Sequence, residues 1–88
     1  MSTSKVYAVI LFDQAAEELG SLVALWLKKG TIGSYIYAKK IDPNAPYFHM
    51  WLESTSPDGT TWETELQIPH GFVKAVFYSA DIKRIGFL

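Results

Sequence analysis

The sequence contains no cysteine, and only two of its 88 residues are histidine. No disulfide can therefore form, and a structural zinc site would have to be built from the two histidines and carboxylates. His49 and His70 stand 21 positions apart, and they do not form any compact metal-ligand spacing. We therefore expect no metal and no other cofactor, and a stability that comes from packing alone.

The sequence also lacks an excess of either charge and any long apolar run. Eight Lys and Arg residues nearly balance nine Asp and Glu residues, so no overall field attracts nucleic acid or an anionic membrane. The longest apolar runs, 6–12 and 22–27, are much shorter than the ~20 residues that cross a bilayer. Asp13 and Gln14 occupy the place where a signal peptide would need a small-residue cleavage site. We expect a cytoplasmic protein with no membrane partner.

Core-forming residues, by contrast, are plentiful. Hydrophobic residues make up 49% of the chain and aromatic residues 15%. A chain of this length can bury enough of that material for one modest core, but not for two. The composition predicts a single globular domain that spans residues 1–88.

The amino-terminal third has the pattern of a strand followed by a helix. Residues 5–12 consist of Lys5 and an unbroken apolar run, rich in β-branched and aromatic side chains, and the segment is too short for a typical helix. Asp13 then stands at an N-cap position, and residues 28–30, Lys-Lys-Gly, provide last-turn cations and a glycine stop. The apolar residues between them recur at helical spacing. They are Leu19, Leu22, Val23, Trp26 and Leu27. The spacing predicts one amphipathic helix that ends at Gly30.

Two strands are expected next, at residues 34–41 and 47–54, joined by a loop that contains two prolines. With Ile41 opposite Tyr47, one face of this hairpin is aromatic and charged. The cross-strand pairs on that face are Lys39 with His49, Tyr37 with Trp51, and Tyr35 with Glu53. The opposite face is apolar, and it consists of Ile36, Ala38, Phe48, Met50 and Leu52.

The following turn predicts a second hairpin. Ser56-Pro57-Asp58-Gly59-Thr60 has proline and glycine at the positions that a three-residue loop requires. The pairs would be Ser54 with Trp62, Leu52 with Thr64, Met50 with Leu66, and Phe48 with Ile68. This register sends Glu63 and Glu65 to the face that carries His49 and Trp51. A loop of two or four residues would instead bury both glutamates, at a cost of several kcal/mol each.

The last part of the chain leaves alternatives open. Pro69-His70-Gly71 is a break, and residues 72–79 are either a strand, which their β-branched and aromatic content favours, or a short helical segment. Residues 82–88 end in apolar side chains, so we expect them to pair with a sheet edge or to dock on a partner.

The predicted fold class is therefore α+β. It has one N-terminal strand, one amphipathic helix, and an antiparallel meander of three to five strands packed on the helix. The strand residues expected to contact the helix are Ile36, Phe48, Met50, Leu52, Trp62 and Leu66. The alternative is a small curled β-barrel with the helix as a cap.

The candidate binding site is the aromatic and charged sheet face. Its predicted residues are Tyr35, Tyr37, Lys39, His49, Trp51, Glu53, Glu63 and Glu65. Aromatic anchors among mixed charges are typical of association surfaces, so the leading hypothesis is a non-catalytic protein-interaction or self-associating domain, with a homodimer as the default form.

Two other functions use the same face. Tyr35, Tyr37 and Trp51 could stack single-stranded bases beside Lys39 and Lys40, although the glutamates would repel phosphates. A small enzyme or ligand binder could instead use His49 as a base oriented by Glu63 or Glu65. The sequence contains no nucleophile elbow and no phosphate-binding glycine motif, so no residue is predicted to be catalytic.

Overall fold

A computed structural model describes residues 6–31 and 33–79 of the chain. This part contains one short helix, α1 (Asp13–Leu19), and seven strands. The strands are β1 (Val6–Leu11), β2 (Leu27–Gly30), β3 (Gly33–Ala38), β4 (Lys40–Asp42), β5 (Phe48–Thr55), β6 (Thr61–Ile68) and β7 (Val73–Ser79). The predicted α+β fold is confirmed. The predicted carboxyl-terminal segment, residues 82–88, lies outside the described residues.

The strands form two antiparallel sheets, neither of which closes into a barrel. The four-stranded sheet has the order β2-β3-β1-β7, and the three-stranded sheet has the order β4-β5-β6. β1 lies in the interior of its sheet and pairs with β3 on one side and with β7 on the other. The segment that the sequence left open between strand and helix is therefore a strand, β7, preceded by a 3₁₀ turn over His70–Phe72.

The helix is much shorter than predicted. It ends at Leu19 because Gly20, with a φ of 45° and a ψ of −123°, takes a non-helical backbone conformation that is open mainly to glycine, and the Gly20 N–H bonds to the Ala16 carbonyl. A 3₁₀ turn over Gly20–Val23 follows, and Lys28, Lys29 and Gly30 belong to strand β2. The prediction of a helix that ends at Gly30 was therefore wrong.

The predicted N-cap residue, Asp13, and the predicted apolar side of the helix also differ from the structure. Phe12, not Asp13, has the extended backbone of the N-cap position, and Asp13 lies in the first turn. Leu22, which was predicted to be buried, has 76% of its surface exposed because the chain has already left the helix. Val23 is buried, and Trp26 and Leu27 pack partly buried against the core.

The register of the β5–β6 hairpin agrees with the prediction at every pair. Ser54 lies opposite Trp62 and Phe48 lies opposite Ile68, and the pairs between them also match the predicted ones. The three-residue loop is closed by a hydrogen bond from the Ser56 N–H to the Thr60 carbonyl at 2.8 Å, and Gly59 has a φ of 89°. Glu63 and Glu65 therefore lie on the outer face, as the loop length predicted.

The register of the preceding pair was predicted wrongly. Ile41 pairs with Met50 rather than with Tyr47, a shift of three residues. The predicted strand is also divided at Lys39, so that β3 belongs to the four-stranded sheet and β4 to the three-stranded sheet. The proline-containing loop after Asp42 imposes no fixed pairing, and it therefore left the register undetermined.

The inner faces of both sheets enclose one core with α1. The largest fully buried side chains are Leu11, Ile36, Met50, Leu52, Ile68, Val9 and Val23. Ala15 and Ala16 of the helix belong to the same cluster, as does Phe48, whereas Leu66 is only partly buried against it. Trp62, predicted to be in the core, has 46% of its surface exposed, because β6 is the outer strand of its sheet. No helix among the described residues is long and apolar enough to cross a membrane.

Candidate functional site

The outer face of the three-stranded sheet carries most of the predicted site residues. Alternation along β5 buries Phe48, Met50 and Leu52, so the residues between them point away from the core. We name this outer surface the charged aromatic face. It consists of Lys39, Lys40, Asp42, His49, Trp51, Glu53, Glu63, Glu65 and Gln67.

Trp51 lies at the centre of the charged aromatic face. The His49 imidazole stacks on its indole, with ring centroids 4.0 Å apart and planes 20° from parallel. Lys40 stands directly opposite Trp51 on β4, and its Nζ lies 4.7 Å from the ring centroid. That distance is within the range of a cation–π contact. The indole is therefore held by two neighbours, one of them a cation.

A carboxylate orients the imidazole. His49 Nε2 lies 2.8 Å from Glu65 Oε1, and the His49 side chain is only 16% exposed, against 60% for Glu65. Glu65 is the cross-strand partner of Trp51, so it reaches His49 along the diagonal of the ladder. The sequence expectation that Glu63 or Glu65 would lie beside His49 is met by Glu65.

Lys39 joins two glutamates that would otherwise repel each other. Glu53 and Glu63 are directly opposite in the ladder, and Lys39 Nζ lies 3.4 Å from one carboxylate oxygen of each. The hydrogen bond to Glu53 is the main reason that the pKa of Lys39 is raised above its usual value, and Glu63 adds to the effect. Lys39 also donates its backbone N–H to the Trp51 carbonyl at 2.9 Å, which fixes the bend between β3 and β4.

Tyr35 and Tyr37 lie on a different surface. Both belong to β3, in the four-stranded sheet, opposite Ile10 and Ala8 of β1. Tyr35 is buried, with 6% exposure, and the two rings are 5.3 Å apart. Burial is the main reason that the pKa of Tyr37 is raised, followed by its hydrogen bond with Tyr35. The predicted pairs of Tyr37 with Trp51 and Tyr35 with Glu53 were wrong, because the strand changes sheets at Lys39.

Sequence reasoning missed Asp42. The predicted register made it a loop residue, whereas it pairs with His49 on the charged aromatic face. Its Oδ1 accepts the Asn44 N–H at 3.0 Å, so the same side chain also starts the loop to β5. The available signal was the alternation of Lys40, Ile41 and Asp42, in which one apolar residue stands between two charged ones.

Within residues 6–31 and 33–79, no group of three or more His, Asp or Glu residues could hold a metal ion. Comparison of the chain with protein-family models, with curated proteins and with solved structures finds no match. The charged aromatic face is therefore the candidate functional site of this protein.

Proposed function

We propose that this protein is a protein-interaction domain that binds its partner through the charged aromatic face. The observation that carries the proposal is the state of Trp51, which is stacked by His49, approached by Lys40 and surrounded by charged side chains. Tryptophan at the centre of a polar rim is the usual composition of a binding hot spot. Because its neighbours already hold the ring, little conformational entropy is lost when a partner covers it.

The charges of this face favour a protein over a nucleic acid. Four carboxylates, those of Asp42, Glu53, Glu63 and Glu65, share the surface with the ammonium groups of Lys39 and Lys40. Lys39 is already engaged by two glutamates. A phosphate backbone would meet net repulsion here.

The positions of the aromatic residues also favour a protein partner over a nucleic acid. Base stacking needs free ring faces on one platform, whereas the His49 imidazole covers one face of Trp51. Tyr35 and Tyr37, the other two rings of the predicted platform, belong to the four-stranded sheet.

The pair of His49 and Glu65 is the observation that favours the enzyme alternative, but its geometry suits a positioned binding residue better. Glu65 occupies Nε2, the imidazole nitrogen farther from the main chain. A general base acts through a nitrogen within hydrogen-bond reach of its substrate. Only Nδ1, next to the backbone, would be left for that purpose.

A photo-crosslinking amino acid at Gln67, an exposed residue of the charged aromatic face, tests the proposal in cells. The matched control carries the same group at Glu17, which is exposed on α1. We expect the Gln67 derivative to form an adduct with a protein, and the Trp51→Ala variant of that derivative to form much less of it. The Glu17 derivative should not form this adduct. Equal adducts from both positions, or a nucleic-acid adduct from Gln67, would contradict the proposal.

A further inference from the structure

The edge strand β6 borders the charged aromatic face. It is eight residues long, and it stands at the end of the β4-β5-β6 order, so that among the described residues no strand pairs with its second side. An edge of this length offers a row of backbone donors and acceptors to any extended chain. Such edges are the docking sites used in β-strand addition.

The alternation of hydrogen-bonded and non-bonded pairs along β6 identifies the residues whose backbone N–H and C=O groups are offered at the edge. The closing bond from Ser56 N–H to the Thr60 carbonyl starts the ladder, and antiparallel pairs alternate from there between bonded and non-bonded. Trp62, Thr64 and Leu66 therefore turn their N–H and C=O groups toward β5. The residues whose backbone groups point away from the sheet are Thr61, Glu63, Glu65 and Gln67, and all four have exposed side chains.

A second copy of the chain is a poor match for this edge. A two-fold axis through an antiparallel β6–β6 pair keeps outer-face residues opposite outer-face residues. The two registers that pair nearly the whole strand, centred on Thr64 and on Glu65, then set Glu65 opposite a glutamate of the copy. Like charges directly opposite each other destabilise a ladder.

We propose that the β6 edge binds an extended segment of a different protein as a fourth strand, and that this segment is basic. It would carry Lys or Arg opposite Glu63 and Glu65, where the carboxylates of the face outnumber its ammonium groups. Apolar residues would alternate with these cations and cover the exposed side of Trp62. This inference rests on the proposed function, since it specifies the partner of the same face.

A model peptide with alternating lysine and valine, Lys-Val-Lys-Val-Lys-Val-Lys with blocked ends, tests the inference directly. Amide hydrogen exchange followed by NMR distinguishes the two sides of β6. We expect the peptide to slow exchange at the Glu63 and Glu65 amides, which point outward. The Thr64 and Leu66 amides, already bonded to β5, should change little. A peptide with glutamate in place of lysine should give no protection.

Two comparisons, one in the peptide and one in the protein, separate the contribution of backbone hydrogen bonds to peptide binding from that of charge. A peptide that is N-methylated at alternate residues retains its charges but loses strand hydrogen bonds, and it should bind at least roughly tenfold more weakly. In the protein, Glu63→Pro and Glu63→Gln remove the same charge, but only proline also removes the outward N–H. Because proline is tolerated at an edge position whose N–H faces solvent, we expect Glu63→Pro to fold and to bind more weakly than Glu63→Gln.

The outcomes separate this inference from the proposed function. A lysine peptide that binds without slowing exchange at Glu63 and Glu65, or equal affinity of the methylated and plain peptides, would overturn strand addition and leave a protein-binding face. Protection of the same amides without peptide would also overturn it, in favour of a second copy if the protein is a dimer and of the chain's own residues 82–88 if it is a monomer. The crosslinking at Gln67 judges the proposed function independently of all three results.

Discussion

Asp58 organises the loop between β5 and β6 with one exposed carboxylate. It accepts a hydrogen bond from the Ser56 hydroxyl and another from the Thr60 N–H at 2.9 Å. These bonds stabilise the ionised form, the Ser56 bond most strongly, and lower the pKa of Asp58 from 3.8 to about 2. The folded pKa is depressed, so the stability from these bonds is present above about pH 4 and is lost as the pH falls toward 2.

The Ser56→Ala variant tests this origin of the shift. We expect the pKa of Asp58, measured by NMR titration of its side-chain carboxyl carbon, to rise toward its usual value, because the largest source of the shift is gone. The control is Ser21→Ala, in an exposed position of the 3₁₀ turn, which should leave that pKa unchanged. An identical pKa in Ser56→Ala and in the parent protein would assign the shift to another cause.

Trp26 and Ser54 form one contact that joins the segment after the helix to the three-stranded sheet. Trp26 Nε1 donates to Ser54 Oγ at 3.0 Å, and Ser54 is 7% exposed. We expect Ser54→Ala to lower the free energy of unfolding by about 1 kcal/mol, since the indole N–H loses its acceptor in a partly buried position. Urea unfolding of Ser54→Ala, Trp26→Phe and the double variant measures the coupling. Strictly additive effects would mean that the hydrogen bond contributes nothing.

At the scale of elements, the β5–β6 turn is the part of the fold that its own sequence determines most closely. Gly59 has a φ of 89°, and a Cβ added there would meet nothing within 4 Å, so any penalty comes from the backbone alone. We expect Gly59→Ala to destabilise the protein by about 1 kcal/mol. Gly71→Ala is the matched control, since Gly71 has equal space and no positive φ. Equal thermal unfolding midpoints for the two variants would contradict the assignment of this cost to the positive φ of Gly59.

The two hairpins show why one register was predictable and the other was not. In the β5–β6 hairpin, Pro57 and Gly59 specify a three-residue loop, and the loop specifies the pairing and the outward position of Glu63 and Glu65. Asp42 and the prolines that follow it do not specify a tight turn, and nothing local to the sequence marks Lys39 as the point where the strand changes sheets. The part of the candidate site on β5 and β6 was therefore predictable, and the position of Tyr35 and Tyr37 was not.

The length of the helix was predicted wrongly for a related reason. The apolar spacing from Leu19 to Leu27 fits a helix, and periodicity alone does not tell a continuing helix from a turn followed by a strand. Gly20 was the available signal, because glycine is the residue that ends helices with a positive φ. The short strand β2 then forms because Leu27 and its successors pair with β3. Pairing between separate segments depends on tertiary structure, so the local propensity of residues 27–30 does not predict it.

At the scale of the whole molecule, the two sheets share the larger of two buried clusters and should unfold together. Val9 and Ile36 of the four-stranded sheet and Met50 and Leu52 of the three-stranded sheet belong to the same buried cluster. The continuous backbone through Lys39 joins the sheets directly. A domain of this size normally unfolds in a single cooperative transition. The charged aromatic face is therefore supported by packing that extends across both layers.

Leu52→Ala tests this cooperativity from one sheet to the other. Leu52 is fully buried, so we expect a loss of about 2–5 kcal/mol in the free energy of unfolding from the cavity and the lost transfer energy. Leu22→Ala removes the same atoms from a side chain that is 76% exposed, and it should cost less than about 0.5 kcal/mol. Because the core is shared, Leu52→Ala should speed amide exchange in β1 as much as in β5. Faster exchange in β5 with unchanged exchange in β1 would mean that the sheets open separately and that the binding face depends on its own sheet alone.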